Sequence, residues 1–340
     1  MTPAGRVLVC PDKFRGTLSA AEAATAIAAG LREAGVVDIV ELPLADGGEG
    51  TLDVLLAARG GDLHEATVVG PDGSPAVARY GLLHGGVAIV EMAEASGLAL
   101  VTGANNPLTA TTYGTGQLIA LAEAHGASSV IVGVGGSATV DGGRGALDAL
   151  GWRSPSIPVV VACDVATLFL DAAGVFGPQK GAGPAEVAEL SERLRLLAVE
   201  FADVTGADVR ELPGAGAAGG LAGGLAALGA TLRPGFAVVA EAVGFERHVD
   251  EAAIVVTGEG LLDRTSLAGK VVGEVLRAAK RRRIPAKVIA GDMTPGIAGA
   301  LPGDVNVVSL VALAGSVEEA RSRASALVTE AAALLVRRPA

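Results

Sequence analysis

Several acidic residues stand at the ends of short apolar, β-branched runs, most of them among glycines or beside a lysine. The fullest such stretch is 133–143, GVGGSATVDGG, between the run 130–132 and a helical pattern over 144–150. It reads as a glycine-rich turn at the carboxyl end of a buried strand. Glycines there let backbone N–H groups approach an anion, and Ser137 and Thr139 add hydroxyl donors. Asp141 closes the turn with a carboxylate, which suits a metal or a proton better than a phosphate. The plainer alternative is a tight strand-to-helix turn that uses glycine for positive φ.

Four other stretches carry similar chemistry. The loop 11–16, PDKFRG, places Asp12, Lys13 and Arg15 after a strand, a grouping that can bind a carboxylate or phosphate or simply be solvated. ADGGEGT (45–51) offers Asp46 and Glu49, or else a helix start with Glu at the positive end of the dipole. VFGPQKGAG (175–183) presents Lys180 between glycines, as a phosphate ligand or a solvated lysine. GEGLLDRTSLAGK (258–270) brings Glu259, Asp263 and Lys270 into a third acidic glycine turn.

The elements that must hold these residues are legible as well. Apolar runs predict strands over 6–10, 36–42, 130–132, 159–163, 252–257, 287–290 and 305–310. Helical patterns cover 20–33, 51–58, 113–125, 185–199, 271–281 and 316–336, the first with a capping box between Ser19 and Glu22. Residues 63–92, with a Pro71-Asp72-Gly73 turn, read as an antiparallel meander that opens a second domain. In an open parallel sheet the carboxyl ends of the strands share one edge, and ligands bind there. That geometry would gather Asp12, Asp46, Asp141 and Asp263 around one crevice.

Bulk composition narrows the function. The chain has 340 residues, 50% hydrophobic and 19% charged, which fits a globular protein of about two domains. Twenty-six basic against 37 acidic residues give a net charge of −11, against nonspecific nucleic-acid or anionic-membrane binding. Cys10 and Cys163 form no disulfide framework and His64, His84, His125 and His248 no ligand spacing, so the histidines read as surface or loop residues. With no signal-like apolar region at the start, these features lead us to expect a cytoplasmic protein. The uncharged run 212–232, rich in glycine and alanine, reads as a close-packed helix or ligand-contacting turn and not as a membrane span. Known nucleotide signatures mostly fail: no GxxxxGK followed by Ser or Thr occurs, and Gly133, Gly135 and Ala138 satisfy only a weak GxGxxA dinucleotide pattern.

Taken together, the blocks PDKFRGTLSA (11–20), ADGGEGT (45–51), YGTGQLI (113–119), GVGGSATVDGG (133–143), VACDV (161–165), FGPQKGA (176–182), PGAGAAGGL (213–221) and TGEGLLDRTSLAGK (257–270) resemble, in order, the bacterial glycerate kinase family of the two-domain α/β type. The resemblance implies an α/β fold with a Rossmann-like parallel-sheet domain, a second, smaller α/β domain and an interdomain cleft. Boundaries at 1–62, 110–150 and 250–340 for the first domain, and 63–109 and 151–249 for the second, fit that plan. The implied activity is ATP- and magnesium-dependent phosphorylation of D-glycerate, usually to the 2-phosphate. Two alternatives stand beside it: an NAD(P)-dependent oxidoreductase and a non-catalytic glycerate- or nucleotide-binding paralogue.

Under the kinase reading, Gly135, Gly136, Ser137 and Thr139 cradle ATP phosphates, and Lys180 and Lys270 offset phosphoryl charge. Asp141 and Glu259 hold Mg²⁺, and Lys13 and Arg15, with Asp12, bind the substrate. Asp46 or Asp164 accepts the hydroxyl proton, Asp46 being favoured. The expected partners are the small-molecule substrate and ATP, with no nucleic acid and no membrane, in a monomer or homodimer. Two departures from the family pattern stand out: Val140 replaces a usual asparagine, and WRSPSI (152–157) replaces a longer insertion.

Overall fold

The computed structural model describes residues 5–303 and 305–336. In chain order the first elements are β1 (Val7–Val9), α1 (Ala20–Glu33), β2 (Ile39–Glu41), α2 (Thr51–Arg59), β3 (Gly61–Val69), β4 (Pro75–Leu83), β5 (Val87–Glu91) and α3 (Met92–Ser96). There follow α4 (Tyr113–Ala124), β6 (Ser129–Gly133), α5 (Arg144–Ala149), β7 (Val159–Ala162), α6 (Ala172–Phe176), α7 (Pro184–Thr205), α8 (Leu221–Ala227) and β8 (Thr231–Arg233). The chain continues with α9 (Gly235–Val243), α10 (Phe245–Asp250), β9 (Ile254–Leu262), α11 (Val271–Arg282), β10 (Ala286–Met293) and β11 (Asn306–Ser309). It ends in α12 (Leu310–Ala314), α13 (Val317–Ser322) and α14 (Ala324–Val336). The protein is an α/β protein of two compact units: a terminal unit, up to Asp46 and from Val239 onward, and a central unit, Gly47–Val238.

The terminal unit holds a five-stranded sheet in the order β11-β10-β9-β1-β2, parallel throughout. Val7 and Val9 of β1, Val256 of β9 and Ile289 of β10 form one cluster with Ile27 and Leu31 of α1 and Leu327, Val328 and Ala331 of α14. Strands covered by helices lose water from their apolar side chains, which is why these runs are almost purely aliphatic. Helix α1 begins as its sequence predicts. The Ser19 hydroxyl accepts from the Glu22 amide at 3.2 Å, and the Glu22 carboxylate accepts from the Ser19 amide at 2.8 Å. Gly30 lets α1 and α14 touch backbone to side: a Cβ there would lie 1.9 Å from the Thr329 carbonyl oxygen.

The central unit holds a six-stranded sheet in the order β3-β4-β5-β6-β7-β8. Strands β3, β4 and β5 form the expected antiparallel meander, and β5 to β8 run parallel. One core cluster joins Val68, Tyr80 and Val90 of the meander to Leu118 of α4 and Val132 of β6. A second gathers Leu147, Phe169, Leu194 and Phe201 around α5 and α7.

Three sequence readings change. The expected domain boundaries put 110–150 with the chain ends and separated it from 63–109. In the structure β5 ladders directly onto β6, Val87 opposite Ser129 through Glu91 opposite Gly133, so both stretches, with 47–62, belong to one sheet unit. Glycines and charges end the apolar run at Thr257, yet β9 continues to Leu262 because β10 pairs with it as far as Met293. The terminal helix expected over 316–336 is two helices: Ser316 caps α13, α13 stops at Arg323, and α14 follows. The run 212–232 packs closely, as expected, into a buried short helical turn and α8 before it enters β8; among the described residues no helix is long and apolar enough to cross a membrane.

Candidate active site

In the terminal unit, the chain after β1 stays in register with both neighbours. The Asp12 amide donates to the Gly258 carbonyl at 2.9 Å, and the Leu44 amide to the Pro11 carbonyl at 2.9 Å. This inserts Asp12, buried, between the ends of β2 and β9. Its Oδ1 accepts from the Lys13 amide at 2.7 Å, with the Lys13 ammonium 3.9 Å away. Burial lifts its carboxyl to about 6; Lys13 pulls it down and Asp46 pushes it further up. Glu259 stands on β9 opposite Ala290. Burial lifts its carboxyl to about 7, against the pull of Ser266, while Asp12 adds repulsion and Lys270 relieves it. Asp12, Lys13, Asp46, Glu259 and Lys270 therefore share one electrostatic neighbourhood at the carboxyl ends of β1, β2 and β9.

Glu259 Oε1 is buried and meets no hydrogen-bond partner among the described residues. A buried carboxylate oxygen without a donor is costly, and a hard cation would satisfy it. Among the described residues no three His, Cys, Asp or Glu side chains converge into a ready metal cage. Magnesium is commonly held by one or two carboxylates plus water and substrate phosphate, so Glu259 with Asp12 fits that ion. Asp263 is used locally: it accepts from the Thr265 hydroxyl at 2.7 Å and the Ser266 amide at 3.0 Å. Arg15 is exposed on the loop after Phe14, and Lys270 is the residue before α11.

The central unit contributes the turn after β6. Its strand-like portion is held against 96–98: the Leu98 amide donates to the Gly136 carbonyl at 2.8 Å and the Ala138 amide to the Ser96 carbonyl at 3.0 Å. The amides of Gly135, Gly136 and Ser137 donate to no acceptor among the described residues. Gly136 has φ 73, in the left-handed region that anion-binding turns of consecutive N–H groups use. Gly135 is glycine for another reason: a Cβ there would lie 2.8 Å from the Gly48 Cα.

Beyond Ser137 the same turn goes inside. Thr139 is fully buried, so its hydroxyl does not serve as an open phosphate donor. Lys180, only 3% exposed, is not presented by its glycine loop; its ammonium donates to the Thr139 carbonyl at 2.6 Å. Burial pushes that amine down to about 7, opposed by Asp141. Asn105 completes the clamp, donating to the Ala138 carbonyl at 2.9 Å and the Lys180 carbonyl at 2.8 Å. Asp141, expected as a metal ligand, already accepts four hydrogen bonds: from the Thr112 amide and hydroxyl at 2.8 Å each, and from the Gly143 and Gly145 amides at 3.1 Å each. Its oxygens tie the start of α5 to the start of α4 and leave little for a cation. Val140 is a core residue beside Leu147 and Phe169.

Asp164, after β7, accepts from the Gly235 amide at 2.7 Å. The acids thus divide between two sheets, Asp12, Asp46 and Glu259 on the terminal one and Asp141 and Asp164 on the central one, instead of lining one sheet edge. Three residues with structural leverage on the turns carry no local signature: Asn105 in a polar linker, Thr112 before a helix, and Glu91, which closes the strand-like run before MAEASG. His64, read as a surface or loop residue, lies on β3, partly buried, and clusters with Tyr80 and the exposed His125, the three ring centroids standing 5.2–5.9 Å apart.

Comparison with known proteins shows the family of the chain. A sequence model of the glycerate kinase family matches residues 7–156 and 153–339, two stretches that meet where the sequence reading placed the shortened segment. The glycerate 2-kinase of Escherichia coli K12 is 39% identical over 89% of this chain and 87% of its own length. The glycerate kinase of Halalkalibacterium halodurans is 38% identical over 96% of both. A crystal structure from Salmonella typhimurium LT2, described as a glycerate kinase 2, superposes with a TM-score of 0.81 at 35% identity over 98% of both chains. These similarities define an enzyme of the kinase class. The chain belongs to the glycerate kinase family, and the dinucleotide pattern at Gly133, Gly135 and Ala138 is thereby a feature of a kinase turn.

Proposed function

We propose that this enzyme transfers the γ-phosphoryl group of ATP directly to a hydroxyl of D-glycerate, with Mg²⁺, giving the 2-phosphate in the cytoplasm. The observation that carries the reading is the run of three amides at Gly135, Gly136 and Ser137 that no described protein group accepts, at the carboxyl end of a parallel strand. Phosphoryl transfer depends on placement and charge neutralisation more than on covalent help. In this reading those amides hold phosphate oxygens of ATP. Thr139, Lys180 and Asp141 act from behind the turn, by fixing its carbonyls and its exit into α5. Lys13 and Arg15 attract the glycerate carboxylate, and Lys270 offsets phosphoryl charge. Glu259 with Asp12 would hold Mg²⁺, which would supply charge neutralisation at the transferred group. Asp46, beside these groups, accepts the hydroxyl proton.

The test is an ATP-coupled assay with D-glycerate and Mg²⁺, followed by NMR of the product. Turnover with the phosphate on C2 is expected. No turnover of D-glycerate alongside phosphorylation of another hydroxy acid would overturn the substrate assignment. Asp46→Asn should lower kcat by about 10²–10⁴; a change confined to KM would remove the base role from Asp46.

A further inference from the structure

We propose that Glu91 is a positioning residue of the phosphate-binding edge, holding the amino end of α2 against the turn after β6; the proposal rests on the kinase reading above. Glu91 is the last residue of β5, buried at 4% exposure, and lies in register with Gly133, where the β6 turn begins. Its carboxylate reaches 39 residues back along the chain: Oε1 accepts from the Leu52 amide at 2.6 Å, and the Gly50 amide is also bound. Helix α2 needs this help. Its N-cap is Gly50 in the left-handed region, with no side chain to bind the first free N–H groups. Glu91 supplies the missing acceptor from another element, and a negative charge at the positive end of the helix dipole.

The consequence lies in the glycines before α2. A Cβ on Gly47 would lie 2.8 Å from the Ala162 Cβ at the end of β7, and one on Gly133 would lie 2.6 Å from the Gly47 carbonyl. Gly135 packs on the Gly48 Cα in the same way. Residues 47–50 are therefore wedged across the carboxyl ends of β6 and β7 and back the Gly135–Ser137 amides. One carboxylate fixes where that wedge sits. The charged groups around it are Asp53 of α2, Arg79 of β4 and Glu94 of α3, with Arg79 ion-paired to Glu94 at 2.6 Å.

The experiment uses the full chain and compares wild type, Glu91→Gln and Glu91→Asp. Gln keeps the shape but turns one acceptor into a donor facing an N–H; Asp keeps the charge but shortens the reach. Amide hydrogen exchange of residues 48–54, measured without turnover, should accelerate in Glu91→Gln and less in Glu91→Asp. The KM for ATP should rise about ten- to a hundredfold in Glu91→Gln, with partial rescue by Asp and the KM for glycerate within a factor of about two. If Glu91→Gln does not fold, the wild type still decides: protection of the Gly50 and Leu52 amides should fall on acidification through pH 7 beyond the intrinsic change in exchange rate. Unchanged exchange over 48–54 in Glu91→Gln, or in wild type across that pH range, overturns the role of Glu91. Equal loss of both substrate affinities does so too. A wild type that binds ATP but never phosphorylates glycerate overturns the kinase reading and leaves the exchange result standing.

Discussion

Replacing Glu259 by Gln should stabilise the protein at pH 8 and do so much less at pH 5. The Glu259 carboxyl is lifted from 4.5 to about 7, chiefly by burial. At about 1.4 kcal/mol per pH unit, that gap corresponds to at most about 3 kcal/mol of strain on the ionised folded state. Solvent still reaches part of the side chain, which reduces the figure to about 1–2 kcal/mol. The sign follows from proton uptake: between 4.5 and about 7 the folded state holds the proton more tightly than the unfolded one, so stability falls as pH rises through that window. Gln carries no charge to bury at either pH. Urea unfolding read by circular dichroism at the two pH values measures the difference; with a slope near 3 kcal/mol/M, the midpoint of Glu259→Gln should exceed wild type by about 0.3–0.7 M at pH 8. Mg²⁺ should raise the wild-type midpoint at pH 8 and leave the variant unmoved, and the variant should lose kinase activity. An equal offset at pH 5 and pH 8, or a destabilised variant at pH 8, would refute the claim that this carboxylate is ionised against a burial cost.

Asp141→Asn should cost about 2–4 kcal/mol of unfolding free energy, because a donor replaces an acceptor among four bound hydrogens; a loss reversed by excess Mg²⁺ would restore the metal role to Asp141. Lys180→Met should raise the KM for ATP roughly tenfold with the KM for glycerate unchanged, since it frees the Thr139 carbonyl behind the turn; steady-state kinetics with each substrate varied decides this. Gly30→Ala should destabilise the terminal unit by about 1–3 kcal/mol, because its Cβ cannot fit against the Thr329 carbonyl without separating α1 from α14; a midpoint equal to wild type would contradict that packing.

The parts of the fold legible in the sequence are those whose cause is local. The capping box at Ser19 and Glu22 spans four residues and starts α1 where expected. The β-branched runs at 7–9, 130–132 and 159–162 are strands because their side chains need cover on both faces. Meander and turn at 63–92 followed from alternation and a Pro-Asp-Gly turn. The extension of β9 through GEGLL was not legible, since its cause is a partner strand, β10, that begins 32 residues after β9 does. Domain boundaries failed for the same reason, as the ladder between β5 and β6 joins segments that composition separates.

By itself the sequence determined the chemistry available: acids and lysines at strand ends, glycines where backbone must come close, and a family pattern running from residue 11 to 270. Which of those groups are open to a ligand was decided only by tertiary structure. Lys180 reads as a loop lysine until the chain folds and its ammonium meets a carbonyl 41 residues away. Asp141 reads as a metal ligand until Thr112, 29 residues back, supplies two of its four donors. Glu259 and Asp12 show the reverse: ordinary acids in sequence, they become a strained pair because strand pairing carries both out of water and toward each other. Burial and long-range pairing set the charge and the free valence of a polar group, and neither is a property of its neighbours in the chain.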